Sequence, residues 1–236
     1  MSEDIRGAAA LEPRVAVLGV GGAGCNVVSY LRDSLTTFDT IAVNTDKTAL
    51  MSASADKKIY ICKEVTRGEG THGDTRLGKK CAQVHEEEIR QALVGHDAVF
   101  IVAGLGGGTG TGAVSVIADL CSQMRMMVFS IVIEPFSFET SKLSSAAEGL
   151  RNLRSVCRNV TRFQNNLIVG QMPDFTLDSA FGEVNSCIAR YIKASADKIP
   201  GFIRNELDTV ARTMPKKEQS EFSDIVDIRK ASAVQY

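Results

Sequence analysis

One glycine-rich segment limits what this chain can fold into more than any other: Gly104-Leu-Gly-Gly-Gly-Thr-Gly-Thr-Gly112, directly after the apolar run Ala98-Val-Phe-Ile-Val-Ala103. The apolar run reads as a buried strand, and the glycines as the turn at its C-terminal end. A tight strand-to-helix turn needs only about one or two glycines, whereas this one has six in nine positions. Glycine lacks a Cβ and admits positive φ. The N–H groups of Gly106, Gly107, Gly108, Thr109, Gly110 and Thr111 can therefore converge on an anion, with the positive end of a following helix behind them. The ligand class this favours is a phosphate.

A second loop of the same kind lies near the start. Arg14-Val-Ala-Val-Leu18 reads as a strand, and Gly19-Val-Gly-Gly-Ala-Gly24 leads from it into a helix from Cys25 to about Arg32. Gly19, Gly21 and Gly24 satisfy G-x-G-x-x-G, and Asp46 follows the next strand, Thr40-Ile-Ala-Val-Asn44, as in a dinucleotide-binding fold. Alone, this loop would suggest an oxidoreductase. A dinucleotide needs one pyrophosphate cradle, however, and the chain offers a second, built from the backbone of Gly21, Gly22, Ala23 and Gly24 beside that of 106–112. Two cradles suit a triphosphate better. The Walker pattern G-x-x-x-x-G-K-[ST] does not occur in the sequence.

Strand and helix patterns alternate. Strands are expected at 14–18, 40–44, 58–62, 97–103, 126–133 and 166–170, and helices at 24–33, 46–53, 77–94, 110–124, 140–157 and 177–198. The strands are nearly continuous apolar runs, which fits burial on both faces. The expected fold is α/β, a Rossmann-like three-layer sandwich around a mainly parallel sheet, with ligands at the C-terminal ends of the strands. Three polar segments, 44–46, 67–74 and 134–139, share that rim with the two glycine loops. The division expected is a tail at 1–12, a nucleotide-binding domain at 13–176, a core helix at 177–199 and a short extension at 200–236.

Composition excludes some functions. Formal charge is −1 and both signs are interleaved, so there is no basic stripe to follow a nucleic-acid backbone. Six cysteines are scattered without a C-x-x-C pair, and His72, His85 and His96 lie apart. The thiols read as reduced, no metal site is expected, and the location expected is cytoplasmic. An acidic N-terminus and short apolar runs give no signal peptide or membrane span.

With these loops in place, the chain resembles the tubulin/FtsZ family of GTPases, and its FtsZ branch in particular, over roughly residues 13–198. Gly106–Gly112 fits the family's signature loop. Gly19-Val-Gly-Gly-Ala-Gly-Cys-Asn26 is similar to its first phosphate loop, Ile41-Ala-Val-Asn44-Thr-Asp46 to its second, and Gly68-Glu-Gly70-Thr71-His72-Gly73 to its γ-phosphate loop. Pro135-Phe-Ser-Phe-Glu139 resembles the segment whose acid holds the ribose. Ala180-Phe-Gly-Glu-Val-Asn185 resembles the start of the central helix, where an aromatic ring stacks on guanine and an amide reads its edge. The chemistry agrees: Phe181 and Asn185 are four apart on one helix face, and a carboxamide pairs acceptor and donor against guanine's edge.

The resemblance implies a GTP-binding protein of cytoskeletal, membrane-remodelling or cell-division type that binds GTP or GDP with Mg²⁺. It implies hydrolysis that is slow or dependent on self-assembly into a head-to-tail filament or dimer, and membrane-linked or filament-forming partners. The family's catalytic acids come from a neighbouring subunit, and Glu221-Phe-Ser-Asp224-Ile225 is faintly similar to that loop. Asp46 and Asp74 are the other carboxylates near the matched loops. The sequence departs from the family in His72 for a glycine, Cys25 for Asn or Gly, Leu143 for an arginine near the ribose, and Gln171 in a segment without the usual Pro-Asn. A non-polymerising GTP-binding switch, or partner of other filaments, and a dinucleotide-binding oxidoreductase remain as alternatives.

Overall fold

The computed structural model describes residues 13–34, 38–170 and 176–213. The chain divides into two compact units, one being Arg14–Ile192. This unit is built on six parallel strands in the order β3-β2-β1-β4-β5-β6: β1 (Val15–Val20), β2 (Asp39–Asn44), β3 (Lys57–Tyr60), β4 (Ala98–Gly104), β5 (Met127–Glu134) and β6 (Val160–Gln164). Its helices are α1 (Gly21–Ser34), α2 (Lys47–Ser52), α3 (Lys63–Thr66), α4 (Thr75–Val84), α5 (Glu86–Leu93), α6 (Gly108–Gln123), α7 (Thr140–Val156), α8 (Asn165–Val169) and α9 (Leu177–Ala196) as far as Ile192.

Alternation along the central strands sorts the core into two layers. Ala16, Leu18 and Val20 of β1, with Ile41, Val43, Ile101 and Ala103, pack in one cluster with Cys81 and Ala82 of α4 and Val114, Ile117 and Cys121 of α6. The opposite face receives α1, where Cys25 packs with Ala42 of β2 and with Leu50 and Ala53. Strands buried on both sides need apolar residues at every position, and β4 is buried along all but its last residue. The strand order turns at β1 and β4, whose C-terminal loops therefore leave toward opposite faces and open a crevice between them.

Several boundaries differ from the sequence reading. The expected strand at 166–170 is helix α8, and the sixth strand lies just before it. Leu167-Ile-Val169 is a short apolar run that periodicity cannot assign. The true strand, Val-Thr-Arg-Phe-Gln, pairs among the described residues with β5 alone and is partly exposed, so it lacks an apolar signature. The helix expected at 77–94 breaks at His85, which ends α4 and begins α5. There His85 Nε2 accepts the Cys62 N–H at 2.8 Å, and Nδ1 lies 3.0 Å from Glu88. Helices α1 and α6 begin at Gly21 and Gly108, so each glycine loop is mostly the first turn of a helix.

The second unit contains α10 (Ile199–Thr213), with Pro200 in its first turn, where a missing N–H costs no helical bond. No helix among the described residues is long and apolar enough to cross a membrane.

Candidate functional site

At the C-terminal ends of the strands lies a cleft of about 500 Å³. The strand order sets the sequence of its walls: the 67–74 loop beyond β3, then 44–46 after β2, the starts of α1 and α6 after β1 and β4, 134–139 after β5, and Asn165 after β6. Phe181, Val184 and Asn185 of α9 complete it.

Over β1 and β4 the walls are backbone. The first N–H groups of a helix have no intrahelical partner, and two helices begin here. Gly21 has φ +71, and a Cβ on it would lie 2.9 Å from Gly110 N. A Cβ on Gly110 would overlap the Gly104 carbonyl oxygen, and one on Gly108 would overlap Thr71 Oγ1. The glycines thus let the loops interlock, while Gly22 and Gly107 have no atom within 4 Å of their Cβ positions and face the cleft. Thr109 Oγ1 joins Thr45 Oγ1 at 2.6 Å and Thr71 Oγ1 at 3.4 Å, tying three loops together.

Over β2, Asn44 Oδ1 accepts the N–H groups of Thr45 and Asp46 at 2.8 and 3.2 Å, and Asp46 Oδ1 caps α2 by accepting from Ala49 at 2.9 Å. Asn44 Nδ2, on a residue only 2% exposed, has no partner. Over β5, Glu139 accepts the Phe136 N–H at 2.9 Å and the Lys142 ammonium at 2.5 Å. Partial burial pushes the Glu139 carboxyl up. The hydrogen bonds from Lys142 and Phe136 and the lysine's charge outweigh that and hold it below the usual glutamate range.

Over β5, β6 and the start of α9 the walls are side chains. Along α9, Val184, Ile188 and Ile192 are buried, whereas Phe181 is 45% exposed and lies edge-on to Phe136 with centroids 5.9 Å apart. A phenyl ring left open beside an amide is a surface for a planar ligand. Asn165, 4% exposed, presents Oδ1 without a partner. A buried acceptor left bare costs about 1–3 kcal/mol, so it points to a ligand or water that fills the cleft.

Gly21, Gly22, Ala23, Asn26, Asn44, Asp46, Gly70, Thr71, His72, Gly107, Gly108, Thr109, Gly110, Glu139, Phe181 and Asn185 line this cleft; Gly24, Gly73, Gly106 and Thr111 do not. A Cβ on Gly24 would overlap the Val102 carbonyl, so this glycine seats α1 on β4. Thr111 Oγ1 accepts the Gly106 N–H at 2.8 Å and closes its loop from behind. Asp74 caps α4 through the N–H groups of Arg76 and Leu77 and is absent from the lining. Leu143 is likewise absent from it. Burial pushes the Cys25 thiol up to about 12, so it stays protonated and is a poor nucleophile. Glu221, Asp224 and Gln171 lie outside the described residues.

Sequence reasoning missed Asn165, Lys142, Glu69 and Glu134, all in the lining. Asn165 had a signal: like Asn44, it is an amide at the end of a parallel strand, but the misplaced sixth strand hid it.

A family model for the Tubulin/FtsZ family, GTPase domain, matches residues 14–173. Cell division protein FtsZ 1 of Pyrococcus horikoshii is 37% identical over 208 residues, covering 86% of this chain and 56% of that protein. Cell division protein FtsZ 2 of Methanocaldococcus jannaschii is 35% identical, covering 86% and 54%. Among solved structures, an empty FtsZ dimer of M. jannaschii superposes with a TM-score of 0.75 at 33% identity, over 80% of this chain and 55% of that one. CetZ2 of Haloferax volcanii, solved as a GTPγS-bound protofilament, has the same fold, with a TM-score of 0.72 at 24% identity over 79% and 59%. The chain spans about half the length of the curated relatives it matches. With its six-stranded parallel sheet flanked by helices and its two glycine loops, the chain belongs to the Tubulin/FtsZ family, within that family's GTPase domain.

Proposed function

We propose that this cleft binds a guanine nucleotide laid across the sheet, with the base over β5 and β6, the phosphates over β1 and β4, and the terminal phosphate toward the 67–74 loop. The observation that carries this reading is Asn165 Oδ1, a buried acceptor without a partner in the same cleft as the open ring of Phe181. Guanine presents N–H donors on its pairing edge where adenine presents an acceptor. An acceptor fixed by the fold therefore selects guanine, with Asn185 as the second amide. Glu139, held ionised by Lys142, accepts from ribose hydroxyls. At the other end, Asn44 Nδ2 is an unused donor for an anionic ligand. Family membership sets the oxidoreductase alternative aside.

A Mg²⁺ ion fits this arrangement as a companion of the phosphates. Among the described residues no three His, Cys, Asp or Glu side chains cluster to hold a metal. Mg²⁺ keeps most of its waters and takes few protein ligands, so phosphate oxygens and water would hold it, with the Thr109 hydroxyl the protein oxygen on the signature loop. When bound, the ion would neutralise phosphate charge.

Hydrolysis needs an oriented water. Three of the four carboxylates in the lining have other tasks: Asp46 caps α2, Glu139 is tied to Lys142, and Glu134 to Arg162 at 2.6 Å, while Glu69 is exposed and lies 3.5 Å from His72. This supports turnover that depends on an acid from a second copy, in a cytoplasmic protein of cytoskeletal or cell-division type that self-associates, as FtsZ of M. jannaschii does in its dimer. GTP turnover per molecule across a protein dilution series tests it. The expected result is turnover that rises with concentration. Turnover independent of concentration would assign the water to a residue of this cleft, and tight GTP binding without turnover would favour the non-polymerising switch.

A further inference from the structure

We propose that His72 is a ligand of the terminal phosphate, and that its charge sets how strongly the cleft prefers a nucleoside triphosphate to a diphosphate. This rests on the reading above that a guanine nucleotide fills the cleft. The first observation is conformational. His72 has φ +48 and stands between Gly70 and Gly73, which have φ +77 and +85. A side chain in the left-handed region carries a conformational cost that glycine avoids. The chain keeps one here, in a loop otherwise shaped by glycine, and His72 lines the cleft.

The second observation is position. The loop packs on the start of α6: Thr71 Oγ1 lies 3.4 Å from Thr109 Oγ1, and a Cβ on Gly108 would lie 2.8 Å from Asp74 N. The strand order sets this loop at the opposite end from Asn165. A nucleotide with its base at Asn165 and its first phosphates at the start of α6 directs its last phosphate here.

The third observation is charge. The cleft lining includes Asp46, Glu69, Glu134 and Glu139, and its lysine, Lys142, is paired with Glu139. The charged groups around His72 are Glu69 and Asp74 of its own loop, Arg67 and Arg76 flanking it, and Asp46 and Lys47 from the start of α2, where Lys47 N–H bonds Gly68. The first turn of α6 brings none. His72 Nε2 lies 3.5 Å from Glu69 Oε2, beyond ordinary hydrogen-bond length, with both side chains 74% exposed. An imidazolium held so loosely can exchange Glu69 for a phosphate oxygen. The exchange is favourable only when the ring is charged, and histidine changes charge between about pH 5 and 8.

The experiment measures GTP and GDP affinity at about pH 8 and about pH 6 for the full chain and for His72→Gly and His72→Gln. Glycine suits the positive φ, so the first variant keeps the loop, and comparison at each pH cancels the titration of the nucleotides themselves. In the unaltered protein the ratio of GTP to GDP affinity should rise at least about threefold toward acid, because the charged ring adds a contact the diphosphate lacks. Both variants should lose that rise and keep their GDP affinity. A rise of equal size in the variants, or equal weakening of GTP and GDP, overturns the role of His72 while leaving guanine binding intact. Failure of the unaltered protein to bind either nucleotide overturns the underlying reading and the proposal with it.

Discussion

Over β1 and β4 the cleft is walled by backbone, with Gly21, Gly108 and Gly110 so closely fitted that a Cβ on any of them would press on a neighbouring loop. Over β5 and β6 it is walled by side chains: the open ring of Phe181, the Glu139–Lys142 pair and the unpartnered Asn165. The glycine interlock of the first end is completed by folding alone, although Asn44 Nδ2 next to it stays without a partner. The second is left with an exposed ring and a bare acceptor that folding does not satisfy. Substitutions should therefore separate the two, costing stability at one end and selectivity at the other.

The largest effect should come from the interlocked glycines. Gly110→Val or Gly108→Val drives a side chain into backbone and should destabilise the domain by on the order of 3 kcal/mol or more. Gly107→Val, whose Cβ position is open, should unfold at nearly the unaltered temperature and fail to bind GTP. Thermal unfolding with and without nucleotide distinguishes the cases. A stable Gly110→Val protein would show that the loops separate readily, and would break the comparison at its stronger end.

The glycine end was legible because its signals are local: a strand, a run of glycines and a helix in succession. What the sequence could not show is why each glycine is there. Gly110 and Gly108 answer to Gly104 and Thr71, partners that only the tertiary fold brings near. At the side-chain end, the placement of Phe181 and Asn185 on one wall of the cleft was legible through helical spacing. That of Asn165 was not legible, because an edge strand with polar residues at three of its five positions lost to the more apolar Leu167-Ile-Val169. His85 ended a helix for the same kind of reason, through a contact with Cys62 that is 23 residues away in sequence.

The intermediate effect tests the base end. Asn165→Ala removes a buried acceptor that has no protein partner, so the nucleotide-free domain should lose little stability or gain some. Its preference for GTP over ATP should fall by about 1–3 kcal/mol of binding free energy. Phe181→Ala should weaken guanine and adenine nucleotides alike, by about 0.5–1.5 kcal/mol. Equilibrium binding of both nucleotides to each variant, beside its unfolding curve, checks this. If Asn165→Ala lowers stability and leaves selectivity unchanged, the amide is a structural residue and the base end is no less complete than the phosphate end.

The smallest effect lies where the two ends meet. Lys142 is packed on the phosphate loop, since a Cβ on Gly106 would lie 2.6 Å from Lys142 Cβ, and its ammonium holds Glu139. The Glu139 carboxyl sits below its ordinary range in the folded protein, so its ionised form contributes stability that is fully present above the unfolded value and is lost as pH falls through the folded one. Lys142→Met removes the hydrogen bond and the charge that lower it. The variant should thus be less stable near neutral pH by at most about 1 kcal/mol, because the lysine is half exposed. The two proteins should converge in acid, where Glu139 is protonated in both. Denaturant unfolding at a series of pH values measures the gap. A gap that stays constant into acid would mean that Lys142 acts by packing on Gly106 alone, with Glu139 independent of it.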